Sequence, residues 1–539
     1  MNLKRTAQDW GERREVRGTP EEQEVKRTPI VQEYWARLIC CVSSSRLAHP
    51  ASRAGLAFLA SLALTLPGCS MGPDYTRPDT PKADAWRMTT VTSESIANLP
   101  WWDLLKDQEL QRLIRTALEE NQDVRTAAAS VEEFQAQLVI SRFDLAPSLG
   151  YGGQAFVFNA ERNSVAIPMP GGGGVFVPGQ SGPTLSNESA YAGLKWEVDV
   201  WGKIRRSIEA TRAQLLARQE AQRAVILGLV STVAEAYFDL RQVDLQIEIT
   251  RRTLKTWDET VRLSRIKLGQ GAISKLDLDR FEAEQANAAA QLADLERQSV
   301  QKENQISLLL GRKPAQVSRG NTLIEQVMPP EIPAGLPSDL LRRRPDILQA
   351  EQDLVAATAG IGVAQASRFP QLSLTGALGV ANPQLGSIAP GVAFTQYASA
   401  AVTGPLLNAT ALGYQVKVAE ARTKQASFQY EKTIVTALRE VEDALIATQK
   451  SREQGRSQEA QVVALRSAFD LADLRYRGGR SSYLDVLTAQ RSLFDAELSL
   501  ARTRRTQLVS VVQLYKALGG GWPSAQGQDN LSTSPEPEK

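Results

Sequence analysis

A long helical hairpin that is written twice in the chain constrains the fold more than any other feature. The first copy runs from about Ile204 to Leu310 and the second from about Asn408 to Leu518. At a constant offset of 208 positions, Gly271 matches Gly479. Further matches are Val233 with Val441, Ser274 with Ser482, and Asp277 with Asp485. The constant offset indicates an internal duplication, which decides the architecture before other patterns are considered.

The first arm of each hairpin is too long for an ordinary globular helix. From Ile204 to Leu268 the sequence has no proline, and its one glycine is Gly228. At 1.5 Å per residue such a helix is roughly 100 Å long. Its apolar positions alternate spacings of three and four, as in Leu229, Val233, Ala236, Leu240 and Val243. This period of 3.5 predicts a left-handed coiled coil with a neighbouring helix, and the helices alone are equally compatible with a simple spacer.

The composition argues against several functional classes. The formal net charge is +2, so no nucleic-acid or polyanion partner is indicated. The cysteines are Cys40, Cys41 and Cys69, and the single histidine is His49. Cleavage before Cys69 would leave one cysteine and no histidine, which removes disulfides, His/Cys zinc sites and Ser-His or Cys-His nucleophiles. We therefore expect no enzyme, metal site or cofactor, and an enzyme that uses only carboxylates is a distant alternative.

The N-terminal region carries the pattern of an exported lipoprotein. A short apolar run, Ala54 to Leu66, leads into Leu66-Pro67-Gly68-Cys69. The run has the length of a signal-peptide core, and small residues before a cysteine resemble a lipobox. Lipidation of Cys69 with several acyl chains, palmitate among them, would anchor the mature chain, and Ser70 favours the outer membrane. Residues 1–52 do not fit a leader, so we expect a misassigned start; the alternative for Cys69 is a buried free thiol.

Segments between the helices alternate like strands. Between Ser189 and Trp201 the apolar residues Ala192, Leu194, Trp196 and Val198 alternate with polar ones. Strands are predicted at about 147–158, 189–201, 371–381 and 393–404, with a long flexible loop around Gly171–Gly174. About 10–12 residues suit a tilted membrane strand, although a small sheet on a soluble core is the alternative. About eight strands are the fewest that close a barrel, so several chains would have to pool theirs.

The chain divides into five predicted parts. They are an N-terminal extension with a signal peptide at 1–68, an extended lipidated strap at 69–100, a first repeat at 101–335, a second repeat at 336–520, and a disordered tail at 521–539. The first repeat is predicted to contain one helix from Trp102 to Ala146, two strands and the hairpin at 203–311. The second repeats this order, with a helix from Asp346 to Ser367 and the hairpin at 407–518.

Four motifs together resemble a known family. They are Cys69-Ser70-Met71-Gly72-Pro73-Asp74-Tyr75, Trp101-Trp102, Leu336-Pro337-Ser338-Asp339-Leu340-Leu341-Arg342-Arg343-Arg344-Pro345-Asp346-Ile347, and Tyr515-Lys516-Ala517-Leu518-Gly519-Gly520-Gly521-Trp522. The chain resembles the outer-membrane factor family of TolC-like export channels, in the lipoprotein branch that includes OprM and the NodT group. Locally, the arginines Arg342 to Arg344 indicate a solvated or inter-subunit salt-bridge cluster more than a ligand site.

The resemblance implies a mixed α/β, mainly α-helical membrane protein that forms a homotrimer. Four strands from each chain would build a 12-stranded barrel in outer-membrane lipid, continued by a helical tunnel into the periplasm. The implied function is a passive exit duct for small molecules in a tripartite efflux system. Its partners would be a periplasmic adaptor and an inner-membrane pump of the resistance-nodulation-division type. A protein-secretion channel is the nearest alternative, and a non-conducting periplasmic coiled-coil scaffold is an alternative of another class.

The resemblance also assigns roles to the hairpin turns. The turns are expected to dock the adaptor and pump, through Gly269, Gly271, Ala272, Ser274, Gly478, Gly479, Arg480, Ser481 and Ser482. Asp485, and less strongly its counterpart Asp277, are expected to narrow the pore. Thr488 and Ser481 stand where relatives carry acidic residues, so the constriction is expected to hold fewer charges. Both aspartates lie in a first helical turn, so simple helix capping is the alternative for each.

Overall fold

A computed structural model describes residues 70–79, 86, 106–158, 165–169, 173–177, 185–328, 340–382, 393–406 and 408–520. The chain divides into two units, Met1–Pro67 and Gly68–Lys539. Only the second unit contains described residues, and the predicted signal peptide, Cys69 and the tail at 521–539 lie outside them. In the described part, no helix has the length and apolarity needed to cross a membrane.

Helices make up most of the described chain, and the two longest confirm the duplicated arms. The helices are α1 (Gln108–Glu120), α2 (Gln122–Phe143), α3 (Lys203–Gly269), α4 (Lys275–Leu309), α5 (Leu340–Arg343), α6 (Pro345–Ala366), α7 (Ala409–Arg477) and α8 (Tyr483–Ala517). Helices α3 and α7 have 67 and 69 residues, and the return helices α4 and α8 have 35 each. Each return helix is therefore about half the length of the arm it follows.

The single helix predicted from Trp102 to Ala146 is wrong, because the chain breaks at Asn121. The Asn121 backbone is extended, with φ −63° and ψ 134°. Its side-chain oxygen accepts hydrogen bonds from the backbone N–H groups of Asp123 and Val124, at 2.8 and 3.2 Å. Asparagine caps a new helix in this way instead of continuing the old one. Its Nδ2 also donates to the carbonyl of Leu309 at 2.9 Å, which fixes the break against the end of α4.

Four strands form an antiparallel sheet in the order β1-β4-β5-β6. They are β1 (Ser148–Phe158), β4 (Leu185–Val198), β5 (Gln371–Asn382) and β6 (Ala393–Thr403). Strand β4 begins before the predicted Ser189 and ends before Trp201. It ends there because the Asp199 carboxylate accepts from the N–H groups of Ile204 and Arg205, at 3.2 and 3.0 Å, and starts α3.

The predicted glycine loop between β1 and β4 is partly a strand ribbon. Strands β2 (Val165–Met169) and β3 (Gly173–Val177) pair antiparallel, and Gly174 lies opposite Pro168. The prediction of a flexible loop is wrong for these residues. Backbone pairing satisfies their N–H and C=O groups, and this pairing needs no alternating pattern of apolar and polar side chains. Within the described residues, β1 and β6 each have one edge with no strand beside it.

The long-helix seam predicted from the sequence is buried. Leu229, Val233, Ala236, Leu240 and Val243 all have less than a tenth of their surface exposed. Along α3 the neighbours are α2 and α6 on the sheet side and α4 and α8 toward the turn, and α7 lies against α6 and α8. The main core lies where α1, α3, α7 and α8 converge, around the fully buried rings of Tyr237, Tyr430 and Tyr515.

A buried carboxylate joins three segments in this core. Asp107 is 1% exposed and caps α1 by accepting from the N–H groups of Glu109 and Leu110, at 3.0 and 3.1 Å. It also accepts from the Tyr237 hydroxyl at 2.9 Å and from Gln326 Nε2 at 2.6 Å. Four donors therefore depend on one side chain. Burial beside this carboxylate raises the pKa of Tyr237 above its usual value.

Arg344, the last arginine of the cluster before α6, is an ion-pair site within the chain. Arg344 is buried and donates to Asp346 at 2.6 Å, to Glu440 on α7 at 2.7 Å and to the carbonyl of Ala517 at 2.9 Å. These contacts join the start of α6 to α7 and to the end of α8. The salt-bridge interpretation holds for Arg344, although its partners belong to its own chain.

Candidate functional site

The two hairpin turns are built by the same backbone geometry. Gly271 and Gly479 have φ values of +69° and +70°, a left-handed conformation that glycine adopts at little cost. In the first turn the N–H groups of Gly271 and Ala272 donate to Leu268 and Lys267, both at 2.9 Å. In the second turn Gly479 and Arg480 donate to Tyr476 and Arg475 in the same way. This pair of hydrogen bonds ends a helix sharply, so each arm reverses direction within a few residues.

The same device recurs where the return helices end. Gly311 and Gly519, again 208 positions apart, have φ values of +69° and +68°. Their N–H groups donate to Leu308 at 2.9 Å and to Lys516 at 3.0 Å. At Gly311 there is also no room for a side chain, because a Cβ there would lie 2.4 Å from the carbonyl oxygen of Glu120.

The two predicted pore aspartates occupy different environments. Asp277 is held by a cap: its N–H donates to Ser274 Oγ at 3.1 Å, and that hydroxyl donates to Asp277 Oδ2 at 2.7 Å. Arg280 lies 3.8 Å from the other carboxylate oxygen. Asp485 is exposed, and its carboxylate has no hydrogen bond or ion pair with any described residue. Asp277 therefore has the cap contacts that Asp485 lacks, and the pore roles of both aspartates stay predictions.

Eight of the nine predicted docking residues are exposed, and Ser481 is half-buried. The Ser481 hydroxyl oxygen has no hydrogen-bond partner among the described residues. Arg480 and Arg475 are exposed, and Arg477 pairs with Asp473 at 2.8 Å. The second turn therefore presents a mostly basic surface, and its role in docking stays a prediction.

The turns contact each other through a cluster that sequence reasoning missed. The tip cluster consists of Lys267, Phe281, Tyr476 and Tyr483. The Tyr483 ring lies edge-on to Phe281 and to Tyr476, with ring centroids 4.3 and 4.8 Å apart. Lys267 Nζ donates to the Tyr476 hydroxyl at 3.2 Å and lies 5.0 Å from the ring centroid. Burial raises the pKa of Tyr483.

A signal for the tip cluster is present in the repeat. Tyr476 and Tyr483 stand where the first copy carries Leu268 and Lys275. Both tyrosines are therefore departures from the duplicated pattern. A comparison of the two copies therefore singles out both positions.

Ion pairs continue the link between the hairpins above the tip cluster. Glu497 on α8 is nearly buried and pairs with Arg252 on α3 and Arg466 on α7, each at 2.5 Å. Arg491 lies 3.5 Å from Glu284 on α4. Glu497 thus joins both long arms. Two arginine partners offset more of the desolvation cost of the buried carboxylate than a single partner would.

The two faces of the sheet differ in polarity. In one cross-strand row Ser148, Lys195, Thr375 and Ser399 lie side by side. The opposite face carries Leu149, Leu194, Leu374, Leu378 and Val402. Leu149 and Val402 are 78% and 71% exposed. A sheet with one exposed apolar face and one polar face suits a wall between lipid and water.

The strap after Cys69 is fixed to the helices beside the sheet. Arg206, buried on α3, donates to the carbonyls of Met71 and Gly72 at 3.0 and 3.3 Å and to Asp74 at 2.6 Å. Arg77 Nε donates to Glu351 on α6 at 2.7 Å. The strap therefore follows one path along α3 and α6. Within the described residues no cluster of side chains could hold a metal ion.

Comparison with known proteins gives consistent matches along most of the chain. A family model described as outer membrane efflux protein matches residues 113–312 and 336–520, and each segment contains one hairpin. The toluene efflux pump outer membrane protein TtgC of Pseudomonas putida is 36% identical over 488 residues, covering 89% of this chain and 98% of its own length. The cation efflux system protein CusC of Escherichia coli is 32% identical over 474 residues, covering 87% and 98%.

Solved structures share the fold. The open state of the Neisseria gonorrhoeae MtrE outer membrane channel aligns with a TM-score of 0.74 at 31% identity, covering 84% of this chain and 98% of that one. The outer-membrane channel OprN aligns with a TM-score of 0.74 at 28% identity, covering 84% and 100%.

Proposed function

The chain belongs to the outer membrane efflux protein family, and we propose that it works as a homotrimer that connects a periplasmic adaptor and an inner-membrane pump to the cell exterior. It is an outer-membrane efflux channel with a TolC-like fold that spans the outer membrane and extends into the periplasm. Proteins of this family are channels and not enzymes. The relatives named as efflux proteins favour efflux over protein secretion and over a non-conducting scaffold.

The observation that carries the trimer is the open sheet. Four strands with an apolar and a polar face have two edges without a partner strand in the described chain. In lipid every backbone N–H and C=O needs a partner, so a spanning sheet must close. Three copies supply 12 strands, within the range of closed outer-membrane barrels.

The helices support the same arrangement. Helices α2 and α7 lie at the two ends of the row α2-α3-α6-α7. Both carry exposed apolar side chains, which are Val139, Ile140 and Phe143 on α2 and Tyr414, Val418 and Phe428 on α7. In a trimer these two helices would meet between neighbouring copies, and the helical wall would close below the barrel.

We place the pump-side mouth at the hairpin turns and the lipid anchor at Cys69. The turns lie at the ends of α3 and α7 that are farthest along the chain from the sheet. The strap that follows Cys69 is held on α3 and α6 next to the strands. An anchor beside the sheet and a docking surface at the turns agree with a duct that starts in the periplasm and ends in the outer membrane.

Deleting the gene and measuring efflux tests the proposed function. We expect the deletion strain to accumulate ethidium and toluene, and the wild-type gene supplied on a plasmid to restore efflux. Purified trimer should also conduct ions across a planar bilayer. Unchanged accumulation together with a monomer that conducts nothing would rule out the efflux duct.

Asp485→Asn tests the pore constriction. Three copies of an exposed carboxylate without a partner would form a ring that attracts cations. We expect the cation preference of single channels in a planar bilayer to fall clearly in this variant. Asp277→Asn is the matched control, because Ser274 and Arg280 already hold that carboxylate. Equal selectivity in wild type and Asp485→Asn would remove Asp485 from the pore lining.

Tyr483→Ala tests whether the tip cluster holds the mouth. The substitution removes the ring contact with Phe281, which joins the two hairpins, and the ring contact with Tyr476 inside the second hairpin. Such aromatic pairs contribute about 0.5–1.5 kcal/mol each beyond burial. We expect a larger mean single-channel conductance, because the hairpins can then separate at the turns. The neighbouring variant Leu484→Ala, at a side chain that is 52% exposed, should keep the wild-type conductance. A Tyr483→Ala channel with wild-type conductance would contradict the role of the cluster.

A further inference from the structure

The polar face of the sheet carries one positive charge that no described residue neutralises. We propose that Lys195, repeated in the three copies of the trimer, forms a basic ring inside the barrel that favours the passage of anionic solutes over cationic ones. The inference rests on the homotrimeric channel proposed above. It adds a residue that sets which charge class of solute crosses the barrel most readily.

Strand pairing places Lys195 on the polar face of the sheet. Its cross-strand partners are Ser148 on β1 and Thr375 on β5, and Ser399 on β6 completes the row. Leu194, the residue before it on β4, lies on the opposite, apolar face. Because the apolar face contacts lipid in the proposed barrel, Lys195 lies on the wall that encloses water.

The acidic residues nearest to Lys195 along β4 have cations of their own. Among the described positions of the four-stranded sheet, Lys195 and Glu197 are the only charged residues on the polar face. Glu197 pairs with Lys203 at 3.2 Å, and Asp199, just after the strand, pairs with Arg205 at 3.2 Å. The Lys195 side chain is exposed, and its ammonium group has no hydrogen bond or ion pair with a described residue. Its charge is therefore not compensated locally.

The position of Lys195 does not suit the usual structural role of a lysine in a sheet. Lysine on an edge strand prevents pairing with a wrong strand. Strand β4 has β1 on one side and β5 on the other, so it is an interior strand. The partners Ser148 and Thr375 have short side chains without charge, so neither offers the ammonium group a counter-ion. The lysine thus presents a hydrated point charge on a flexible stem to the water in the barrel.

The row of Lys195 lies near the end of the sheet that joins the helices. Ser148 is the first residue of β1, and Val198, three residues after Lys195, is the last residue of β4. Three residues of a strand span about 10 Å. In the proposed channel, every solute that enters the barrel from the helical part passes this level.

Three ammonium groups at one level of the barrel raise the local concentration of anions. A barrel wall in lipid has a low dielectric constant, and such walls focus the field of their charges into the enclosed water. In 0.1 M salt the Debye length is about 10 Å, so the ring acts on solutes that pass close to the wall. Its charge is opposite to that of the ring proposed at Asp485, so the mouth and the barrel would select for opposite charges.

Moving the charge within its row tests the ring. Lys195→Thr removes the charge, and the double variant Lys195→Thr with Thr375→Lys returns it to the neighbouring strand of the same row. Reversal potentials of the full-length channels in planar bilayers, under gradients of potassium chloride or potassium benzoate, give the cation-to-anion permeability ratio. In about 0.1 M salt we expect Lys195→Thr to raise this ratio about two-fold or more. The double variant should return the ratio to the wild-type value.

The dependence on salt separates an effect of charge from an effect of pore shape. In about 1 M salt the Debye length falls to about 3 Å, so the difference between Lys195→Thr and the wild type should shrink. Lys195→Gln, which removes the charge but keeps a longer polar side chain, should give the same ratio as Lys195→Thr. A difference that persists at high salt would overturn the ring.

Three further outcomes would overturn the ring and leave the channel intact. They are an unchanged ratio in Lys195→Thr, a double variant that conducts with the ratio of Lys195→Thr, and failure of both Lys195→Thr and Lys195→Gln to assemble, which would assign Lys195 to folding. A wild-type chain that is monomeric by light scattering or conducts no ions would instead refute the homotrimeric channel. The two failures are therefore distinguishable.

Discussion

Leu378→Arg is expected to remove functional channels from the outer membrane. Leu378 lies near the middle of β5, on the apolar face, and is 56% exposed in the single chain. A charged side chain on the lipid face of a barrel costs about 2–4 kcal/mol at the bilayer midplane, and a trimer carries three copies. We expect the variant to accumulate in the periplasm without folding into the membrane, and the strain to accumulate ethidium like the deletion strain.

The matched control for this prediction places the same charge on the opposite face. Thr395 is exposed on β6 and pairs with Gly379, the residue that follows Leu378. Its face already carries Lys195, so Thr395→Arg should assemble and keep efflux. The measurements are heat-modifiable migration of outer-membrane fractions and ethidium accumulation. If Leu378→Arg assembled as well as Thr395→Arg, the assignment of the two faces would be wrong.

Asp107→Ala is expected to destabilise the helical part more than any other single deletion of a polar group described above. The substitution leaves the N–H groups of Glu109 and Leu110, the Tyr237 hydroxyl and Gln326 Nε2 without their acceptor. An unsatisfied buried donor costs about 1–3 kcal/mol, so partial rescue by water still leaves a loss of about 3–5 kcal/mol. The thermal midpoint of the helical circular dichroism signal in detergent should fall by at least several degrees.

Asp123→Ala is the control for Asp107→Ala, because Asp123 is also an acidic residue at the start of a helix. It lies in the first turn of α2 and is exposed. Its removal should cost less than about 0.5 kcal/mol, as surface substitutions usually do. Tyr237→Phe should fall between the two, since it removes one donor to Asp107 and one acceptor of the Gly320 N–H. Equal midpoints for Asp107→Ala and Asp123→Ala would show that Asp107 does not join the three segments.

The long-range plan of the molecule was predictable because it is repetitive. A seam such as Leu229, Val233 and Ala236 repeats with the helix period over many turns, so single exceptions do not obscure it. The alternation around Trp196 and Val198 gave a strand for the same reason. The ends of that strand were misplaced, since they depend on Asp199, whose carboxylate caps α3.

Local events decided by one side chain were not predictable from periodicity. Asn121 interrupts an otherwise continuous helical pattern because its side chain captures two backbone N–H groups. The strand ribbon around Gly174 leaves no alternating signature. At the candidate site, sequence reasoning located both hairpin turns, and the pore roles of the two aspartates stay predictions. It did not find Tyr483, because aromatic contacts between two hairpins depend on how the hairpins pack.

The unequal lengths of the paired helices have a mechanical consequence. Helices α4 and α8 stop at the left-handed glycines Gly311 and Gly519, about half-way along their partner arms. Among the described helices, only α3 and α7 run unbroken from the turns to the strands. In the proposed assembly, a force that acts on the hairpin turns is therefore transmitted to the sheet through these two continuous helices in each copy. Twisting of the helical part is expected to concentrate at the level where the shorter helices α4 and α8 end.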